Sequence, residues 1–332
     1  MYLANIGVPS LVAFAVCFFL LRWLLRGRLA RAVMDQPNHR SLHTAPTPRI
    51  GGLGVLAGIL CGGVLAGGLS SPLLILLLLL LVLGGFCFLD DRKGLSAAVR
   101  LPVHLLVAAA WIISLRKVGG GDTAHWLLIL GLTFALGWMM NLYNFMDGAN
   151  GLAGGMAVFG FAAYGVAAAL AGQPELAALG FVIAASALAF LLFNFDPARL
   201  FLGDAGSIPL GFLAGALGLW GWQTAAWPLW FPLLVFSPFI VDATVTLLRR
   251  ALRGKKVWQA HHDHAYQRLV RSGWSHRRLA WAAYLLMAAC VLSALVLRFS
   301  DKHWVMASLA LWGLLYAVIL LVVEYRWRQA QK

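Results

Sequence analysis

Charge is the resource this chain of 332 residues most lacks: Asp, Glu, Lys and Arg together make 11% of it, where a soluble domain carries roughly a quarter. That scarcity, with 61% hydrophobic residues and a mean hydropathy of +0.82, excludes a soluble globular protein and leaves a polytopic membrane protein. Cysteine is scarce as well. Cys17, Cys61, Cys87 and Cys290 all fall in apolar runs without metal-type spacing, which reads as packing and excludes a disulfide framework. No basic leader precedes the first apolar run, whose nearest cations are Arg22, Arg26 and Arg28. A retained first span, with the N-terminus on the periplasmic side, is therefore expected.

What the chain has instead is apolar length. A helix needs about 20 residues to cross the hydrocarbon core. Eleven such stretches can be read, at 8–25, 51–69, 71–89, 101–117, 125–143, 151–171, 175–193, 207–222, 227–247, 279–298 and 303–323. The expectation is an all-α bundle in a single transmembrane catalytic domain, 1–332. Of the 26 Lys and Arg, 21 lie in the loops after odd-numbered spans or beyond the last, and four in the opposite loops. The positive-inside rule then puts the odd loops, about 26–50, 90–100, 144–150, 194–206 and 248–278, in the cytoplasm together with the C-terminus. The net charge of +14 becomes a one-sided property facing inner-membrane lipids and anionic substrates, with no nucleic-acid partner expected.

Polar residues that took no part in that count gather at the same face. Loop one, MDQPNHRSLHTAPTPRIGGLG, brings Asp35, Asn38, Arg40, His43 and Arg49 together, and arginine grips phosphate through two parallel hydrogen bonds. Loop two opens with the adjacent Asp90 and Asp91. Their mutual repulsion calls for a cation, and Mg²⁺ commonly binds one or two carboxylates plus substrate phosphates. In NLYNFMDGANGLAG, Asn141, Asn144 and Asp147 recur every third residue and so form one polar stripe on a helix end. Gly148 and Gly151 let the chain turn and bring in Asn150. An amide-and-carboxylate stripe of this kind can bind a base or a sugar, or supply a metal ligand.

Loop four carries GDAGS at 203–207. Its glycines permit close backbone approach, and Ser207 with the following free N–H groups makes an anion-friendly helix start. A bare Asp204 would repel phosphate there, so it is the leading metal ligand, with Asp91 and Asp147 beside it; Asp196, before Pro197, caps a turn or joins the site. Loop five contains HHDHAYQRL. Without cysteine or a second cluster at standard spacing, zinc is disfavoured. His261, His262, His264 and Arg268 read better as donors to a pyrophosphate, and RRALRGKK with Trp258 reads as a segment lying on headgroups. Asp242 is open between a buried helper and a partner for Arg249 or Arg250.

Together the PRIGGLG, DD, NLYNFMDGANGLAG, FLGDAGS and HHDHAYQRL motifs, in that order from about residue 35 to 270, resemble the polyprenyl-phosphate N-acetylhexosamine-1-phosphate transferases of glycosyltransferase family 4. The resemblance implies a Mg²⁺-dependent reaction, with Mn²⁺ as the alternative ion, at the cytoplasmic face of the bacterial inner membrane. Undecaprenyl phosphate would attack the β-phosphorus of a UDP-N-acetylhexosamine, giving undecaprenyl-diphospho-sugar and UMP. It implies catalytic Asp90, Asp91, Asp147 and Asp204 and the loop histidines as activity-linked residues, and it admits a homodimer. The pattern departs from some members at Gly94 and Asn150, where they carry aspartate. The HHDHAYQRL run looks more like the O-antigen branch, acting on UDP-N-acetylfucosamine or UDP-N-acetylquinovosamine, so lipopolysaccharide O-antigen initiation is the expected pathway. The rival classes are a membrane prenyltransferase, which would show two DxxxD-type motifs, and an anionic-lipid or metabolite transporter, which would place charges at mid-bilayer.

Overall fold

The computed structural model describes residues 2–37, 41–67, 70–115, 123–256, 259 and 261–332. It is an all-α bundle. The helices are α1 (Tyr2–Leu24), α2 (Arg28–Ala32), α3 (Gly51–Gly67), α4 (Ser71–Lys93), α5 (Ala97–Ser114), α6 (Thr123–Phe145) and α7 (Leu152–Leu170), then α8 (Pro174–Asn194), α9 (Asp204–Gln223), α10 (Trp230–Val235), α11 (Ser237–Leu252), α12 (Ala265–Arg271), α13 (His276–Leu297) and α14 (Lys302–Ala330). Helices are the expected outcome, because a lipid interior offers no partner for a free N–H or C=O and each helix satisfies its own.

Among the described residues, nine helices are long and apolar enough to cross a membrane. The remaining two expected spans come out differently. Within the expected 51–69, α3 is the shorter Gly51–Gly67, 17 residues long, and residues 68 and 69 lie outside the described residues. The stretch 227–247 is not one continuous helix, which corrects the expectation. It divides into α10 and α11 at Phe236, just ahead of Pro238, which has no N–H to continue the ladder. At the chain's end α14 continues past the expected limit to Ala330.

Helix α9 is the axis of the bundle and the most enclosed of the candidate spans, and α14 is the least. Helices α4 and α6 pack along α9, while α7, α8, α1 and α3 make the adjoining layer. Small residues allow the tightest approaches. A methyl group on Gly52 would lie inside the backbone at Ala205 and Gly206, so α3 and α9 touch main chain to main chain at their first turns. The same contact is tied by Gly51 N–H to Phe201 O (2.9 Å) and Gly52 N–H to Leu202 O (2.8 Å).

The only strands among the described residues are β1 (Met34–Asp35) and β2 (Thr47–Pro48), an antiparallel pair that folds loop one back on itself. This brings Asp35 beside Arg49, whose Nη2 lies 2.6 Å from Asp35 Oδ1. Loop one, the C-terminal ends of α4, α6 and α11, the α8–α9 connection and the start of α13 thus meet at one end of the bundle. At the other end Ser70 pairs with Glu175, and Arg298 donates to Ala167 O (2.8 Å).

Candidate active site

The site grows from the start of α9. Its first N–H groups have no partner within the helix, and a residue from another helix serves them: the Asp91 carboxylate, at the end of α4, accepts from Asp204 N–H (3.0 Å) and Ala205 N–H (2.9 Å). Gly203, at φ 73°, makes the turn that presents these amides, and a side chain there would strike Asp91. Its neighbour Asp90 points elsewhere, accepting from Leu95 N–H (2.6 Å) and pairing with Arg100 (3.2 Å). Arg100 also reaches Asp204 Oδ2 at 3.4 Å. The DD pair is therefore two separate fittings. Asp91 caps a helix and Asp90 anchors an arginine.

From α6, Asn144 Nδ2 donates to Asp204 Oδ1 (2.7 Å) and to Ser207 Oγ (2.9 Å). Asn141, expected on the same stripe, donates back to Gly137 O in its own helix. Asp204 and Asn144 line a polar cleft of about 830 Å³, open mouth included, shared with His43, Arg49, Asp147 and Asn150. His43 packs edge-on against Phe201, and its buried Nε2 lies 3.8 Å from Asp35 Oδ2, beyond hydrogen-bond distance. Burial, reinforced by the Asp204 and Asp91 carboxylates, holds the half-buried Asp147 carboxyl well above the usual range. Asn38 and Arg40 lie outside the described residues.

The rim is locked by Asn194 and His276, which the motifs did not single out, together with Asn150 and Asp196, which they did. Asn194 accepts from Gly151 N–H (2.8 Å) and donates to Leu200 O (3.0 Å), fixing the DGANG turn to the end of α8. Asn150 donates through its amide to Asp196 (2.9 Å) and through its backbone N–H to His276 Nδ1 (3.2 Å). The other ring nitrogen of His276 lies 3.2 Å from Leu42 O, so one histidine joins loops one, three and five. Gln267 also lines the cleft. Asn194 and His276 carry no local signal, since each is chosen by a partner distant in the chain.

Loop five sits behind the cleft. The Asp242 carboxylate accepts from Ala265 N–H (2.8 Å) and Tyr266 N–H (3.1 Å), capping α12 as Asp91 caps α9. This settles the open alternative for Asp242, because Arg250 pairs with Asp263 instead. His264 is buried with its ring stacked on Phe145 at 6.0 Å, and Tyr266 donates to Phe145 O (2.9 Å). His261 lies 4.8 Å from the His264 ring. Burial, then the neighbouring His264 and Arg250, lower its pKa to about 4. His262 is half-buried. Arg268, expected at a pyrophosphate, pairs with Glu324 of α14 and lines a different pocket.

Among the described residues no three His, Cys, Asp or Glu side chains converge to hold a metal ion by themselves. Asp147 and Asp204 nevertheless face one open cleft with hard oxygen donors. That set suits an ion which takes its other ligands from water and phosphate. Asp91 gives one acceptor site on each oxygen to the amides it caps and keeps a second on each.

Comparison with known proteins adds an independent line. Residues 73–221 match the family model described as glycosyl transferase family 4. A probable undecaprenyl-phosphate N-acetylglucosaminyl 1-phosphate transferase of Bacillus subtilis (strain 168) is 31% identical over 310 residues, covering 87% of this chain and 82% of the relative. An undecaprenyl-phosphate alpha-N-acetylglucosaminyl 1-phosphate transferase of Yersinia pestis is 29% identical over 320 residues, 90% of this chain and 86% of its own. A phospho-N-acetylmuramoyl-pentapeptide-transferase of Listeria monocytogenes serotype 4b (strain CLIP80459) is 25% identical over 301 residues, 82% and 88%.

Proposed function

The chain belongs to glycosyl transferase family 4, and from that premise we propose that it is an inner-membrane enzyme transferring N-acetylhexosamine-1-phosphate from a UDP-sugar to undecaprenyl phosphate. The carrying observation is the meeting of Asp204 at the start of α9 with Asn144 at the end of α6, in a cleft that Asp147, Arg49 and His43 share. In the reaction an oxygen of the lipid phosphate forms a bond to the β-phosphorus, the bond from that phosphorus to the bridging oxygen breaks, and UMP leaves. The acceptor is already an anion near neutral pH, so the protein's task is positioning and charge neutralisation rather than strong base catalysis.

Each residue's role follows from its placement. Asp204 and Asp147 would hold Mg²⁺, or Mn²⁺ in its place, which when bound offsets charge on the diphosphate. Asn144 aligns the Asp204 carboxylate. Arg49, 38% exposed and oriented by Asp35, offers donors to phosphate oxygens, with His43, whose Nε2 also lies 3.8 Å from Asp35, beside it. Asp90 and Asp91 are positioning residues in this scheme, setting Arg100 and the first turn of α9. The cleft would open to the cytoplasm, where the charge bias puts this end of the bundle. His261, His262 and His264, with Gln267 of α12, would brace the UMP side from behind α6. The HHDHAYQRL run supports a donor of the N-acetylfucosamine or N-acetylquinovosamine kind, and hence O-antigen initiation.

The test is to incubate purified protein with undecaprenyl phosphate, Mg²⁺ and a panel of UDP-N-acetylhexosamines, N-acetylglucosamine included, and to identify the nucleotide released. UMP that depends on the lipid supports the proposal and names the sugar. Release of UDP would mean ordinary glycosyl transfer, and release of neither would remove the proposal.

A further inference from the structure

A second polar pocket lies away from the cleft, where the last turn of α11 meets α12 and α14. It holds about 400 Å³, open mouth included, and its walls carry Arg249, Arg250, Arg253, Lys255 and Arg268 against the single carboxylate of Asp263. Arg250 is only 8% exposed, and the Nε groups of Arg250 and Arg268 are buried with no hydrogen-bond partner among the described residues. Asp263 and Glu324 occupy other nitrogens of the two guanidiniums. The pocket therefore keeps a surplus of cations and two unmet donors, which is the chemistry of a phosphate site. No residue lines both this pocket and the catalytic cleft.

Three residues give the pocket its second character. Ala265, Leu320 and Val323 line it and also line an apolar groove of about 1160 Å³, open mouth included, between α11, α13 and α14. The groove continues along Leu286 and Met287 of α13 and Val318 and Ile319 of α14. Helix α14 is the least enclosed of the nine candidate spans, so the groove borders the bilayer. A basic pocket that runs into an apolar groove complements one kind of ligand, a phosphate joined to a long hydrocarbon chain.

We propose that this compound site holds an anionic phospholipid of the cytoplasmic leaflet, its phosphate among Arg249, Arg250 and Arg253 and one acyl chain along α13 and α14. The occupant is a bystander lipid rather than the reacting acceptor, because its phosphate lies outside the cleft that contains Asp204. Through Asp263 it would also sit at the root of the histidine loop.

The test is native mass spectrometry of the full-length protein released from nanodiscs of phosphatidylcholine with phosphatidylglycerol. The wild type should retain phosphatidylglycerol in preference to phosphatidylcholine. Arg249→Gln and Arg253→Gln should each weaken retention roughly fivefold, the usual worth of one basic residue at an anionic surface. Ala282→Trp, which fills the groove without touching the cations, should weaken it as well. Variants that melt like the wild type yet retain the lipid fully would overturn the assignment. So would displacement by inorganic phosphate as readily as by added phosphatidylglycerol, or displacement by undecaprenyl phosphate in its place. Lipid retention is read without any turnover, so its failure would leave the proposed transfer reaction standing.

Discussion

At the scale of single residues, the acidic motifs were legible and their division of labour was not. Asp90 and Asp91 read as a pair because they adjoin in sequence, yet one serves α9, 113 residues further on, and the other holds Arg100. Capping in trans leaves no local pattern. The geometry separates Asp204 from Asp91 experimentally. Asp204→Asn should lower UMP release by about 10²–10³, the usual cost of losing a preorganised charge at a transition state, with normal melting. Asp91→Asn should lower thermal stability, by about 1 kcal/mol for the lost cap acceptor at the helix start, with the smaller loss of turnover. Equal effects on turnover from both substitutions would sink this assignment.

Histidine 261 gives a pH signature of its own. Its folded pKa of about 4 lies below the ordinary 6.5, so between these values the unfolded chain binds the extra proton. Its contribution is intact above about pH 6.5 and is lost as pH falls toward 4. Thermal melts from pH 8 to 4 should show that decline, and His261→Gln should flatten it. An unchanged profile in the variant would assign the decline to other groups.

At the scale of elements, hydropathy located the long helices because a bilayer imposes one requirement on all of them. It failed at 227–247, where composition stays apolar but the proline at 238 ends the hydrogen-bond ladder. It also could not see α3 against α9, which depends on two glycines, Gly52 and Gly206, 154 positions apart. Gly52→Ala should push α3 away from the turn that carries Asp204, costing about 1–3 kcal/mol by overpacking, with reduced turnover. Gly85→Ala, where the added methyl meets open space, is the matched control and should melt at or slightly above the wild type. Similar melting of both variants would show that α3 and α9 have room to part.

At the scale of the molecule, the class of protein could be read from scarcity of charge alone, and the placing of its motifs at one end from the alternation of spans. The rim network around His276 could not, since it unites three loops whose proximity only the finished bundle creates. The charge bias makes one global claim open to direct test. A reporter fused after Lys332 should lie in the cytoplasm in a protease-accessibility assay on spheroplasts, protected until the membrane is opened. Cleavage in intact spheroplasts would break the assigned orientation.

The borrowed caps bear on how such a bundle can be made. Asp91 precedes the helix it serves, and Asp242 precedes α12 in the same way. A ribosome delivers the chain from its N-terminus. Each of these two helices therefore emerges after the carboxylate that completes its first turn, whereas α3 and α7 must wait, their first N–H groups being met by Phe201, Leu202 and Asn194 from later in the chain.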